Sequence, residues 1–162
     1  MDIVVVSDTH LRGGLRSRLS DAAMAAISSA DVVLHAGDVV SATALTELRS
    51  LVQAYVVLGN NDTELVGILP ETLVVELEGL RVAMVHDSGP ASGRGARLAA
   101  RFPDASVVVF GHSHIPWHEE VPGGPVIVNP GSATERRAQP QRTIGRMRIL
   151  DGVLEHWSLE RV

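Results

Sequence analysis

Seven residues of metal-ligand type each follow a short apolar run. Asp8 and His10 come after Ile3-Val4-Val5-Val6, Asp38 after Val32-Val33-Leu34, and Asn60 after Tyr55-Val56-Val57-Leu58. His86 comes after Val82-Ala83-Met84-Val85, and His112 and His114 after Val107-Val108-Val109-Phe110. Sites in α/β proteins lie outside the carboxyl ends of the strands. Five strands delivering carboxylate, amide and imidazole groups at those ends would therefore build one site. The donor tally suits two divalent cations, and a pair of such ions does hydrolytic chemistry.

Taken one at a time, the spacings are weaker signals. In Asp8-Thr9-His10, strand spacing puts the first and third side chains on one side, where they can grip one ion; a solvated loop acid beside a surface histidine is the ordinary alternative. In Gly37-Asp38 the glycine lets the backbone turn and approach closely, and the carboxylate has two oxygens with which to bridge two ions. Gly59-Asn60-Asn61-Asp62 also reads as a plain turn. Gly111-His112-Ser113-His114 is the sharpest local pattern: its histidines can address two ions or chelate one. His86 alone would read as a core-edge histidine. Jointly, the ordinary explanation must be invoked afresh at every strand.

The elements that must position these groups are legible too. Buried strands are expected at 3–7, 32–35, 54–58 and 106–110, and a hairpin at 72–78 and 81–86. Helices are expected at 20–29, 41–51 and 92–101. Strands at 116–121 and 126–129 flank Pro-Gly-Gly-Pro, and Asp151-Gly152 makes a final hairpin turn. Helices in the first half and hairpins in the second imply two packed sheets with helices outside. The polar loop 131–143 reads as mobile or as a rim for substrate.

Bulk properties set limits. A length of 162 residues suits a single domain spanning the chain, and 45% hydrophobic content supplies a core. Only 3% is aromatic, so valine, leucine, alanine and isoleucine must fill that core. A formal charge of −5 argues against binding extended nucleic acid or anionic membrane. With no cysteine, any metal must be held by nitrogen and oxygen. All 14 basic residues are arginine, which we read as compositional bias. No signal-peptide pattern and no apolar run of about 20 residues is read, so a cytoplasmic location is expected.

The order Asp8-x-His10, Gly37-Asp38, Gly59-Asn60-x-Asp62, His86 and Gly111-His112-x-His114 resembles the calcineurin-like metallophosphoesterase superfamily. The short length and Asn129-Pro130-Gly131-Ser132 are similar to its small YfcE-type branch. The resemblance implies an α/β four-layer αββα sandwich, two packed mixed sheets flanked by helices. It implies one metal on Asp8, His10, Asp38 and His114, and another on Asp38, Asn60, His86 and His112, with Asp38 as the bridge. Manganese is the expected ion, with iron, zinc or nickel as alternatives. The implied activity is hydrolysis of small phosphodiesters or nucleotides by a metal-bound hydroxide, with Asp38, Asn60, Asn61 and His86 closest to the chemistry. Many members carry histidine where Asn61 stands, a candidate general acid; its replacement favours activated aryl diesters. Asp87 stands where the family usually has glycine. His35, Asp62 and Asp87 are expected behind the ligands, Arg136 and Arg137 at the substrate rim, and 129–132 in a turn near the site. The competing readings are a phosphomonoesterase and a non-catalytic metal-binding scaffold, since the retromer scaffold subunit keeps this fold. A homo-oligomer is compatible with all of these.

Overall fold

Valine-rich runs too short for helices become the centres of two sheets. The computed structural model describes residues 1–162. The chain runs β1 (Asp2–Val6), α1 (Asp21–Ser29), β2 (Val32–His35), α2 (Ala42–Leu51), β3 (Gln53–Val56), β4 (Thr72–Leu77), β5 (Leu80–Val85) and α3 (Arg94–Arg101). It then continues through β6 (Val107–Val109), β7 (Trp117–Glu120), β8 (Val126–Asn129), β9 (Thr143–Leu150) and β10 (Val153–Arg161). One sheet has the order β10-β9-β1-β2-β3 and the other β4-β5-β6-β8-β7. The centres β1-β2-β3 and β5-β6-β8 are parallel, and antiparallel strands close the flanks.

Alternation of side chains explains the layers. Val4 and Val6 point outward and pack with Ala23, Ile27, Leu45 and Leu48 of α1 and α2. Ile3 and Val5 point inward and meet Val82, Met84, Val107 and Val109 of the second sheet. On the far side, Ala83, Val85, Val108 and Ile127 pack with Leu98 and Phe102 around α3. Parallel strands buried on both faces must read as continuous apolar runs, as these do. Ser20 and Ser41 cap α1 and α2, accepting from the backbone N–H of Ala23 at 3.1 Å and Ala44 at 3.4 Å. The structure is thus the αββα sandwich of two mixed sheets expected from the sequence.

Most element ends shift by one or two residues. The strand expected at 106–110 is only Val107–Val109, although the N–H groups of Phe110 and Gly111 still donate to the carbonyls of Val128 at 3.0 Å and His86 at 2.9 Å, and the chain bends at His112 (φ 68°). The loop 131–143 is corrected more substantially. Its first part is neither mobile nor a rim: Ser132 and Thr134 are buried, and both donate to the carbonyl of Asp8.

Replacing Met84 by alanine in the inter-sheet core should cost about 2–5 kcal/mol in urea unfolding. Glu76→Ala on exposed β4 should stay within about 0.5 kcal/mol. Equal losses at the two positions would contradict this core assignment.

Candidate metal centre

The seven donors converge where the ends of the two sheets meet. Asp8 Oδ1 faces His114 Nε2 at 3.3 Å, and His114 Nε2 lies 3.3 Å from His10 Nε2. Asp38 Oδ2 lies 3.5 Å from His86 Nε2 and 3.8 Å from His10 Nε2, between the two halves. Asn60 Oδ1 lies 3.0 Å from His86 Nε2 and 2.9 Å from His112 Nδ1. Two groups of three acids and histidines have ligand atoms within 4.8 Å of one another: Asp8, His10, His114 and Asp8, Asp38, His86. Asp8 is common to both, while Asp38 is within 4 Å of imidazoles from both.

Hydrogen bonding decides what these atoms can hold. His86 Nδ1 meets the carbonyl of Ala36 at 2.7 Å, and His114 Nδ1 meets that of Glu135 at 2.7 Å. A carbonyl only accepts, so each Nδ1 carries the hydrogen. The neutral rings then aim an Nε2 lone pair at carboxylate and amide oxygens that are themselves acceptors. Asp8 Oδ2 is satisfied by Ser7 Oγ at 2.6 Å and the His112 N–H at 3.0 Å, but Oδ1 is buried without a partner. A buried orphan oxygen among facing lone pairs is unfavourable unless a cation or proton sits there. The residues present therefore fit divalent cations of N/O preference; the donor set does not select manganese over its neighbours.

Without a cation, protons take that place. Burial pulls His86 and His114 down, yet the carboxylate of Asp38 for His86 and of Asp8 for His114, together with their carbonyl partners, raise both on balance. Burial pushes Asp38 up, but His86 and the two N–H groups of Asn61 hold it well below the usual carboxylate range.

The backbone is bent to this purpose. Asp8 (φ 54°), His10 (44°), Asp38 (61°), His112 (68°) and His114 (59°) all adopt the left-handed region. Such residues cost on the order of 1 kcal/mol each and gather at functional sites. Three glycines make the close approach feasible. A methyl group on Gly37 would strike the ring of His86, one on Gly59 the carboxylate of Asp38, and one on Gly111 Ser7 and Asp8.

Asp62 ties two of the loops together. Its carboxylate accepts from the backbone N–H groups of Asp38 (2.9 Å), Val40 (2.6 Å) and Gly59 (2.7 Å). Asn61 donates to both oxygens of Asp38, from its backbone at 2.8 Å and its side chain at 2.7 Å. Asn129 holds the turn at Gly111, donating to its carbonyl at 2.9 Å. His35 stands behind the ligands through Thr9: its Nε2 pairs with Thr9 Oγ1 at 2.9 Å, inside the Asp8–His10 turn. The expectation for Asp87 needs correction. Asp87 is an exposed turn acid accepting from Gly89 N–H at 2.7 Å, bound to its own loop and not behind a ligand. Arg136 donates to the carbonyl of Gln139 at 2.8 Å within its own loop, and the exposed Arg137 is near enough for its charge to oppose protonation of His114.

Two contributors were missed. Glu135 provides the carbonyl that orients His114, and its carboxylate lies 4.0 Å from His10 and 2.7 Å from Arg18. Arg18 also donates to the carbonyl of His10 at 3.2 Å. A backbone acceptor leaves no mark on residue type, so only the polar character of the loop hinted at this.

Asp62→Ala strips three buried N–H groups of their acceptor and should lower stability by about 2–4 kcal/mol in chemical unfolding. A loss below about 0.5 kcal/mol would show the tie to be idle. For His35, burial holds the folded-state pKa at about 4 against 6.5 when unfolded. Its contribution is complete above 6.5 and is lost as pH falls from 6.5 through about 4. The metal-free protein should therefore lose stability over that window, and His35→Gln should flatten the slope.

A family model, the calcineurin-like phosphoesterase superfamily domain, matches residues 1–152. A probable metallophosphoesterase of Methanothermobacter thermautotrophicus is 35% identical over 141 residues, 85% of this chain and 80% of that protein. Among solved structures, Vps29 of Entamoeba histolytica complexed with zinc superposes with a TM-score of 0.76, at 24% identity, over 100% of this chain and 98% of that one. A novel archaeal phosphodiesterase superposes at 0.72 with 23% identity over the full length of both. With strands, donors and turns in the arrangement just described, the chain belongs to the calcineurin-like phosphoesterase superfamily.

Proposed function

We propose that this protein is a metal-dependent phosphoric ester hydrolase of the small YfcE-type branch, acting on phosphodiesters. The observation that carries the reading is the convergence of carboxylate, amide and imidazole groups around the buried, unpartnered Asp8 Oδ1, a cluster that cations or protons reconcile. Asp8, His10, Asp38 and His114 would hold one ion, and Asp38, Asn60, His86 and His112 the other. Bound there, two divalent ions activate water and neutralise charge on phosphoryl oxygens.

The chain's own residues do the rest. Asn60 and His112 are exposed on the solvent side, so a phosphate diester can approach from there. Asn61 fixes the Asp38 carboxylate through two hydrogen bonds and so sets its orientation. That engagement also removes Asn61 from proton donation, which an amide could not perform in any case. Diesters whose leaving groups need no protonation, such as aryl oxides, should therefore turn over fastest, and diesters of alcohols, nucleotides included, more slowly.

A second reading has its own support. Several of the solved structures that superpose on this chain are Vps29, and that likeness favours a metal-holding module without turnover over an enzyme. The absence of an acid at position 61 points the same way. The complete donor set favours the hydrolase.

Manganese titrated into metal-free protein should bind at two sites and elicit hydrolysis of bis-p-nitrophenyl phosphate. Chelator should abolish it, and Asp38→Asn should reduce it roughly a hundredfold or more, since even outer partners of metal ligands cost 10–100-fold. Binding without turnover would establish the scaffold reading. Binding should weaken on acidification, because the raised His86 and His114 must shed their protons to ligate; affinity independent of pH would remove the histidines from the ligand set.

A further inference from the structure

Three of the arginines without a carboxylate partner sit together on α3. The chain is acidic, with a net charge of −5, and its paired arginines are Arg16, Arg18, Arg81, Arg146 and Arg148. Arg94, Arg97 and Arg101, at helical spacing on one element, have no carboxylate within 4.0 Å. Two of them are occupied structurally. The guanidinium of Arg94 lies 4.7 Å from the ring centres of both Phe110 and Trp117. Arg97 donates to the carbonyls of Ser88 at 2.8 Å and Ser92 at 3.2 Å, bracing the loop after His86. Arg101 makes no hydrogen bond; its guanidinium lies 5.2 Å from the Phe102 ring centre, and it is exposed.

Arg101 also lines a cavity that it shares with two of the donors, Asn60 and His86. A cavity of about 310 Å³ opens directly off Asn60 and His86, with Leu58 and Val85 as apolar lining. A second cavity of about 310 Å³ continues along α3 past Arg97. Asp87 and Arg101 line both, so the two form one trough leading away from the donors. Glu71 lines the near part. Asp87 is already engaged by Gly89 N–H, whereas every donor of Arg101 is free.

We infer that Arg101 is a specificity residue that receives a second phosphate, carried on the arm of a phosphodiester whose scissile group sits at the metal centre. The inference rests on the hydrolase reading for the scissile group. A guanidinium pairs with a phosphate through parallel hydrogen bonds, and an unpaired arginine gives up no partner in doing so. Glu71 and Asp87 make the trough unattractive to a free anion. An anion tethered to a group held at the centre reaches Arg101 at high effective concentration. The substrate class is thus narrowed to diesters with a further terminal phosphate, the pattern of a 5′-phosphorylated dinucleotide.

The test compares the dinucleotides ApA and pApA, which differ by that phosphate, using manganese-loaded protein. Wild type should prefer pApA at least tenfold in kcat/KM, through a lower KM. Arg101→Gln should erase the preference, Arg101→Lys should keep part of it, and Arg49→Gln, a charge removed from α2, should leave it intact. Binding gives an independent readout. Adenosine 3′,5′-bisphosphate should outbind adenosine 5′-monophosphate tenfold in calorimetry, and Arg101→Gln should equalise them. A preference that is absent in wild type, or that survives in Arg101→Gln, overturns the inference. Loss of manganese binding, or of turnover on bis-p-nitrophenyl phosphate, instead overturns the hydrolase reading, and the binding ratio still decides the role of Arg101 in a metal-loaded but inactive protein.

Discussion

Acceptors facing acceptors are the constraint on which this molecule turns. Asp8 Oδ1 has no hydrogen-bond partner, and the imidazoles of His86 and His114 are locked by carbonyls with their lone pairs toward carboxylates. Left alone, such a cluster would repel itself. It persists because the hydrophobic strands behind it fix the chain before the loops begin, and because five of the seven donor residues accept a left-handed backbone. Stability is held in the sheets and spent at their ends, a usual division between scaffold and site.

The centre is also a seam. Asp8, His10, Asp38 and Asn60 follow strands of the first sheet, whereas His86, His112 and His114 follow strands of the second. Neither sheet holds a full set. The packing of Ile3, Val5 and Leu34 against Val82, Met84 and Val109 therefore sets the spacing between the halves. Asp62 performs the corresponding task within the first sheet, and the His112 N–H bonded to Asp8 Oδ2 stitches one sheet to the other. A change in the inter-sheet core is felt at the donors through geometry alone.

Most of this was legible in the chain because the signals are strong where burial is complete. Buried parallel strands must be apolar throughout, so Val4-Val5-Val6 and Val107-Val108-Val109 marked themselves, and the donors stood out directly after them. The glycine before Asp38 was legible as a point of close approach, though not that it would meet the ring of His86; the same need at Gly59 and Gly111 shows only in the structure. Supporting contacts were harder. His35 was expected behind the ligands, but that its partner there is Thr9 could not be read from residue types. The bond of Arg136 to the carbonyl of Gln139 within its own turn likewise leaves no mark on residue type. Glu135 acts through a backbone oxygen, which any residue would supply.

Shape and chemistry rest on different atoms here. The path of the loops depends on what Gly37, Gly59 and Gly111 lack, since each leaves a gap that a neighbouring donor fills. Ion binding depends on what those neighbours carry. Exchanging a donor for an isosteric side chain silences the centre while the contour of the molecule persists. Adding one methyl group at Gly59 dislocates the endings of two strands with every donor still in place. Architecture of this kind can outlive its own reactivity, leaving an intact, concave surface free for other employment.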